Sequence, residues 1–202
     1  MFRPELTAID TRQSKSAKLI CENTLCGDKI LDYGCGTGRN MKYIQANTEK
    51  VEIMGCDIAD QLKHNFEKHE EVRKMGMEIM LDTEVQENNY DIVLNSHVLN
   101  VIESDEIKQA VVNNIYKALK DGGHAIIEVR TKKDVEGAKS KVAHGDGWKI
   151  KCKGEYTYQE GITKEKMQDL LTTAGFIIEE HTYNSSSHLV IAQKLIEGKV
   201  VA

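Results

Sequence analysis

Ile30-Leu31-Asp32-Tyr33-Gly34-Cys35-Gly36-Thr37-Gly38 decides how this chain is read. A short apolar run meets an acidic residue. Three glycines then alternate with small or polar residues, and helix-forming sequence begins near Arg39. The layout sets a glycine loop between a strand's carboxyl end and a helix's amino end, where open α/β sheets bind nucleotide-like ligands. The spacing is G-x-G-x-G, not the G-x-G-x-x-G of dinucleotide sites. Asp32 narrows the ligand further. A carboxylate there repels a pyrophosphate but attracts an ammonium group, so the loop suits a nucleoside joined to an amino acid. The competing reading is a plain strand-to-helix turn whose glycines only supply positive φ.

The D-x-G-x-G-x-G segment after a first strand resembles motif I of the class I S-adenosylmethionine (SAM)-dependent methyltransferases. The resemblance implies SAM as cofactor and S-adenosylhomocysteine as product. It also implies that Asp32, Tyr33, Gly34, Cys35 and Gly36 approach the methionine moiety and ribose.

Four further segments follow in the order of that family. Val51-Glu52-Ile53-Met54-Gly55-Cys56-Asp57-Ile58 alternates like a strand and ends in Asp57, 19 positions after Gly38. That is near the spacing at which a βαβ unit sets a carboxylate on ribose hydroxyls. Asp57 suits the ribose, with Ile58 beside it; the alternative is a helix N-cap, a role assigned to Asp60. Met77-Glu78-Ile79-Met80-Leu81-Asp82-Thr83 is a short strand running into a polar loop. By resemblance, Asp82, with Thr83, meets the adenine amino group; otherwise Asp82 is a solvated turn residue. Asn89-Tyr90-Asp91-Ile92-Val93-Leu94-Asn95-Ser96-His97 resembles the fourth strand, whose polar end faces cofactor and acceptor. Lys117-Ala118-Leu119-Lys120-Asp121-Gly122-Gly123-His124 and the apolar run after it resemble the helix, glycine turn and fifth strand.

The pattern along the chain alternates helices and strands. Helices are expected over 14–23, 39–46, 60–74, 104–120 and 163–173, and strands over 29–33, 51–56, 77–80, 91–95 and 124–129. Residues 176–183 and 188–195, joined by Asn184-Ser185-Ser186-Ser187, read as a terminal hairpin. In the helix over 104–120, Ile107, Ala110, Val111, Asn114, Ile115 and Ala118 share one face and are expected in the core. Thr163 is expected to cap the last helix, Met167, Leu170, Leu171 and Ala174 to face inward, and Gly175 to end it. Alternation alone gives a doubly wound α/β sheet. With the resemblance, the fold class is a Rossmann-like class I methyltransferase sandwich: a seven-stranded, mostly parallel sheet with a C-terminal antiparallel hairpin. Residues 1–202 form one domain, with an N-terminal helical lid over 1–25, a basic loop insertion over 131–160 and a loose tail over 196–202.

Composition agrees with a globular domain: 202 residues, 40% apolar and 29% charged, enough to bury a core. No apolar run approaches the roughly 18 residues of a membrane span, and the first residues do not read as a secretory signal. The five cysteines are odd in number and scattered, which points to reduced thiols in a cytoplasmic setting. Neither they nor the seven histidines show metal-ligand spacing, so no metal site is expected. A net charge of −5 argues against strong nonspecific nucleic-acid binding. Residues 131–153 are the exception, with seven lysines against Asp134, Glu136 and Asp146, and the single tryptophan, Trp148. A basic loop bearing an aromatic can stack on a base; it can equally be a solvated insertion anchored by Trp148.

The acceptor is less legible. The N/D-P-P-aromatic motif of amino-directed DNA methyltransferases is absent, as is any Pro-Cys nucleophile, since Pro4 is the only proline. Methyl transfer needs in-line positioning of the acceptor, and a base only where the acceptor must lose a proton. His97, at the strand end facing the reaction centre, has the ordinary pKa for that work; the alternative is a hydrogen-bonded helix-entry histidine.

A narrower resemblance adds context. Thr7-Ala8-Ile9 with Arg12 and Ser14 or Ser16, the segment 95–103, and Tyr156-Thr157-Tyr158-Gln159 resemble methyltransferases encoded beside DNA phosphorothioation systems. That similarity implies a nucleic-acid context and a lid formed by Arg12 and its neighbours; the alternative is an amphipathic helix covering a sheet edge. The expected function is methyl transfer from SAM to a small molecule or modified nucleotide. The alternatives are a base in DNA or RNA, or a catalytically idle SAM-binding subunit. No membrane partner is expected, and oligomeric state is not legible.

Overall fold

Ile30 and Leu31, neighbours on strand β1 (Lys29–Tyr33), are fully buried in two different cores. Side chains alternate across a strand, so a sheet covered on both faces needs apolar residues at every position. Strand β4 (Tyr90–Ser96) repeats the pattern, with Ile92 and Leu94 in one core and Val93 in the other. The computed structural model describes residues 2–7, 12–138, 140–152 and 154–196.

Helices α1 (Lys15–Asn23), α2 (Arg39–Asn47), α3 (Ala59–His64) and α4 (Phe66–Lys74) interleave with β1, β2 (Glu52–Asp57) and β3 (Glu78–Leu81). After β4 come α5 (Asp105–Ala118), β5 (Leu119–Arg130), α6 (Lys132–Glu136), β6 (Lys141–His144), β7 (Gly147–Cys152) and β8 (Glu155–Gln159). The chain closes with α7 (Lys164–Ala174), β9 (Phe176–Tyr183) and β10 (Ser187–Lys194).

The main sheet runs β3-β2-β1-β4-β5-β10-β9, with β10 antiparallel to both neighbours and the rest parallel. This is the seven-stranded, mostly parallel sheet with a terminal hairpin that the sequence predicts. The cores on its two faces are closed by α1, α2 and α4 on one side and by α5 and α7 on the other. Thr163 caps α7 by accepting from the Lys166 N–H, and Gly175 ends it at φ 98°. No helix among the described residues is long and apolar enough to cross a membrane.

Several expectations are corrected. Residues 131–160 are not a loop: α6 leads into a second, three-stranded antiparallel sheet, β6-β7-β8. The expected helix over 60–74 is two helices that break at Asn65. Its side chain donates to Gln61 Oε1 at 2.9 Å, which takes up the turn between them. Asp60 lies in the first turn of α3 and is not its cap, which is Ile58. On α5 the buried stripe is Lys108, Val112, Ile115 and Ala118, whereas Ile107 is exposed and so are Ala110 and Asn114. Lys108 is tolerated there because its ammonium donates to Glu160 at 2.6 Å and Asp105 at 2.8 Å. Ala8 and Ile9, and residues 197–202 of the expected loose tail, lie outside the described residues.

Candidate active site

Strand order reverses between β1 and β4, and the crevice at their carboxyl ends is where open α/β sheets take ligands. A cavity of about 1280 Å³ opens there. Its floor is the glycine loop. Gly34 and Cys35 both donate their N–H groups to the Cys56 carbonyl, at 2.9 and 3.0 Å. The Gly36 N–H donates to Asp57 Oδ2 at 2.8 Å, and the His69 ring meets the Gly36 carbonyl at 2.6 Å. Gly34 sits at φ +82°, and a Cβ there would fall 2.4 Å from a Val98 methyl. Gly38, the N-cap of α2, sits at φ +71°, and a Cβ there would fall 2.6 Å from a Val72 methyl. Only glycine meets both demands without strain.

Tyr33, Gly34, Cys35, Gly36, Asp57, Ile58, Asp82 and His97 all line this one cavity. Asp32 and Asn95 do not reach its surface; both are buried just beneath it. Thr83 is exposed and lies outside the cavity. Asn95 instead ties the two strand ends together, its Nδ2 donating to the Tyr33 carbonyl at 2.9 Å.

The electrostatics at the loop favour a cation. Asp32 is 1% exposed, and neither carboxylate oxygen has a partner among the described residues. Burial first, then the nearby Asp57 charge, push its pKa up to about 7, against the pull of Arg39. Burial likewise lifts Asp57 to about 6, opposed by the N–H groups of Gly36 and Ile58. Asn95 Oδ1, Ser96 Oγ and His97 Nδ1 are also buried without partners. Orphaned polar atoms are rare in folded proteins, and their clustering at the ends of β1 and β4 marks a ligand site. The set fits SAM: a partnerless carboxylate suits an ammonium, a second carboxylate with spare lone pairs suits a diol, and the half-open Ile58 suits a flat ring.

The far side of the cavity differs. Val98, Val101, Ile102, Ile107 and Val111 give it an apolar wall, which explains why Ile107 is not in the core. His97 stands at the border at φ +60°, rare for a side-chain-bearing residue. Its N–H donates to the Glu128 carbonyl at 2.7 Å, and its Nε2 lies 3.8 Å from Glu128 Oε1. Burial holds the His97 pKa below the ordinary histidine value, although Glu128 pulls the other way.

The described part of the N-terminal segment contributes to the lining. Pro4, Thr7, 12–15 and Lys18 line the cavity, and the Arg39 guanidinium donates to the Arg12 carbonyl at 2.8 Å. Sequence reasoning assigns no role to Glu128 or Arg130, and names Ser16 and Gln159 only within the narrower resemblance. The signal for Glu128 is a carboxylate inside the apolar run Ala125-Ile126-Ile127-Glu128-Val129.

Comparison with known proteins agrees with this geometry. Residues 31–125 match the model of a family described as methyltransferase domain. A mouse protein named "Probable tRNA methyltransferase 9B" is 24% identical over 130 residues, covering 62% of this chain and 27% of that one. The chain thus spans about a quarter of that relative's length. A SAM-dependent methyltransferase from Methanosarcina mazei superposes with a TM-score of 0.71 at 16% identity, over 89% of this chain and 98% of the other. The Burkholderia thailandensis 1,6-didemethyltoxoflavin-N1-methyltransferase, solved with 1,6-didemethyltoxoflavin and S-adenosylhomocysteine bound, gives 0.66 at 17% identity, over 90% and 77%. Residues 31–125 thus match a methyltransferase domain, and the chain shares the fold of these solved SAM-dependent methyltransferases.

Proposed function

We propose that the acceptor of the methyl group is a small molecule or modified nucleotide held in the same cavity as the cofactor. The observation that carries this is the cavity itself. At about 1280 Å³ it exceeds the roughly 300–1000 Å³ of a single small-molecule site, and its polar and apolar halves meet at His97.

SAM supplies an electrophilic methyl group on a sulfonium. Asp32 holds the ammonium end as a buried negative charge beneath the loop, and Tyr33, Gly34, Cys35 and Gly36 give it backbone contact. Asp57 would accept from the ribose hydroxyls, and Ile58 and Asp82 would flank the adenine. Asn95 keeps the Tyr33 carbonyl in place. The apolar wall beyond His97 orients the acceptor for in-line attack and keeps water out. His97 takes the acceptor's proton at Nε2, since Nδ1 is buried. The cytoplasm suits the five free thiols.

A second reading, a base in RNA or DNA, is favoured by the second sheet. Trp148 is paired across from Gln159, which lines the cavity, and Lys141 Nζ lies 4.9 Å from the Trp148 ring centre. The tRNA methyltransferase name of the mouse relative and the resemblance to phosphorothioation-associated enzymes point the same way.

The test is transfer of labelled methyl from SAM into fractionated cell extract. Label in the small-molecule fraction, slowed in His97→Ala with SAM affinity intact, supports the first reading. Label confined to nucleic acid, with binding that weakens steeply as salt rises, transfers the assignment to the second.

A further inference from the structure

The buried carboxylate of Glu128 faces two partners at once. It lies on β5 and is 2% exposed. Its Oε2 accepts from both the backbone N–H and the hydroxyl of Ser16, each at 2.9 Å. Ser16 stands in the first turn of α1, directly after the segment that lines the cavity mouth. The other oxygen, Oε1, looks toward His97 Nε2 at 3.8 Å, and the Glu128 carbonyl holds the His97 N–H at 2.7 Å. One residue therefore grips the entrance segment and the histidine of the reaction centre, on opposite sides of a single carboxylate.

We propose that Glu128 is the positioning residue of this enzyme, coupling the seating of the 12–18 segment over the cavity to the orientation and proton affinity of His97. The inference rests on the reading of His97 as the proton acceptor.

A buried carboxylate is costly unless its oxygens are satisfied. Ser16 satisfies one oxygen only while α1 is docked, so undocking leaves Glu128 short of partners. Docking is further tied by Ser14, whose N–H donates to Asn40 Oδ1 at 3.0 Å, and by Lys15, whose ammonium donates to Ser187 Oγ at 2.7 Å. The second oxygen is the nearest negative charge to the imidazole. A proton taken up at Nε2 is stabilised there, opposing the burial that disfavours the imidazolium. The other charges facing His97 are Arg39 from α2 and Arg130 from β5, which disfavour the imidazolium, and Asp134 from α6, which favours it. Arg130 is already engaged, its Nε donating to Asp134 at 2.5 Å and its Nη1 to Gln159 at 3.2 Å. Glu128 is thus the carboxylate placed to act on the ring directly. Finally, His97 is held at a positive φ, a conformation that persists only where its surroundings enforce it.

Two variants separate the two functions. Glu128→Gln keeps the shape and the acceptor oxygen for Ser16 but removes the charge. Ser16→Ala keeps the charge but removes the hydroxyl bond. Each is followed in the free protein by histidine NMR titration and by amide hydrogen exchange, then by methyl-transfer kinetics across pH. In Glu128→Gln, His97 is expected to titrate at lower pH than in wild type. The acid limb of kcat should move with it, with KM for SAM within about two-fold. In Ser16→Ala, exchange at Ser16 and Ala17 is expected to quicken by about ten-fold, with a higher KM and a perturbed His97 resonance; Ser16→Thr should restore both. An unmoved His97 titration in Glu128→Gln overturns the proposal, as does faster exchange in Ser16→Ala with the His97 resonance unchanged. A shifted titration in Glu128→Gln with wild-type kinetics in His97→Ala retires the proton-acceptor reading while leaving the contact between the two residues intact.

Discussion

Asp57 Oδ2 accepts a hydrogen bond from the Gly36 N–H at 2.8 Å. The carboxylate at the end of β2 therefore shapes the glycine loop at the end of β1 as well as facing the cavity. Its other oxygen accepts from the Ile58 N–H at 2.9 Å, so both oxygens are oriented before any ligand arrives.

Asp57→Ala should then weaken SAM binding by on the order of 1–3 kcal/mol, since ribose hydroxyls lose a partner and the loop loses a strut. Asp57→Asn, which keeps one acceptor oxygen, should lose less. Calorimetry on both folded variants checks this; wild-type affinity in Asp57→Ala removes Asp57 from the site.

Asp32 makes the free protein sensitive to pH. Its folded-state pKa is raised from 3.8 to about 7, so the neutral acid is favoured by folding. Its stabilising effect is full below about pH 4 and is lost as pH rises through about 7. Asp32→Asn should therefore stabilise the ligand-free protein above pH 7, by about 1–3 kcal/mol, while losing SAM affinity. In the wild type, an ammonium ligand favours the carboxylate, so SAM should bind more tightly as pH rises from 6 to 8, with proton release. Urea melts at pH 5 and 8 and titrations in buffers of different ionisation enthalpy test both halves. Pure pH-independence of binding would take Asp32 out of contact with the charge.

Gly34→Ala should destabilise the fold by about 1–3 kcal/mol, because alanine is strained at positive φ and its Cβ would meet Val98 at 2.4 Å. Adding Val98→Ala should recover the clash but not the backbone strain. Equal unfolding midpoints for the single and double variants would mean that Val98 yields freely.

The central sheet was legible because its strands are buried on both faces and punctuated by glycine. The run over 30–38 needed no partner to be understood. The second sheet was not legible. In Gly147-Trp148-Lys149-Ile150-Lys151-Cys152 the lysines dominate the composition and read as a solvated loop, although Trp148, Ile150 and Cys152 alternate as a strand should. On helix α5 the expected face holds at Val111, Ile115 and Ala118 and fails at Ile107, Ala110 and Asn114, for a related reason. Its pattern treats Lys108 as a surface residue, whereas Glu160, far along the chain, makes that position a buried ion pair. Ile107, counted as core, faces the cavity instead. In the site, Asp57 and the glycines follow from local spacing. Glu128 does not, because its meaning depends on Ser16, 112 positions away.

Calorimetric titration of the intact protein with SAM and S-adenosylhomocysteine, with NAD as control, tests the central claim most directly. The account predicts micromolar binding of the first two, on the order of −8 kcal/mol, and none of NAD. Binding of NAD alone, or of neither adenosyl ligand, would contradict it.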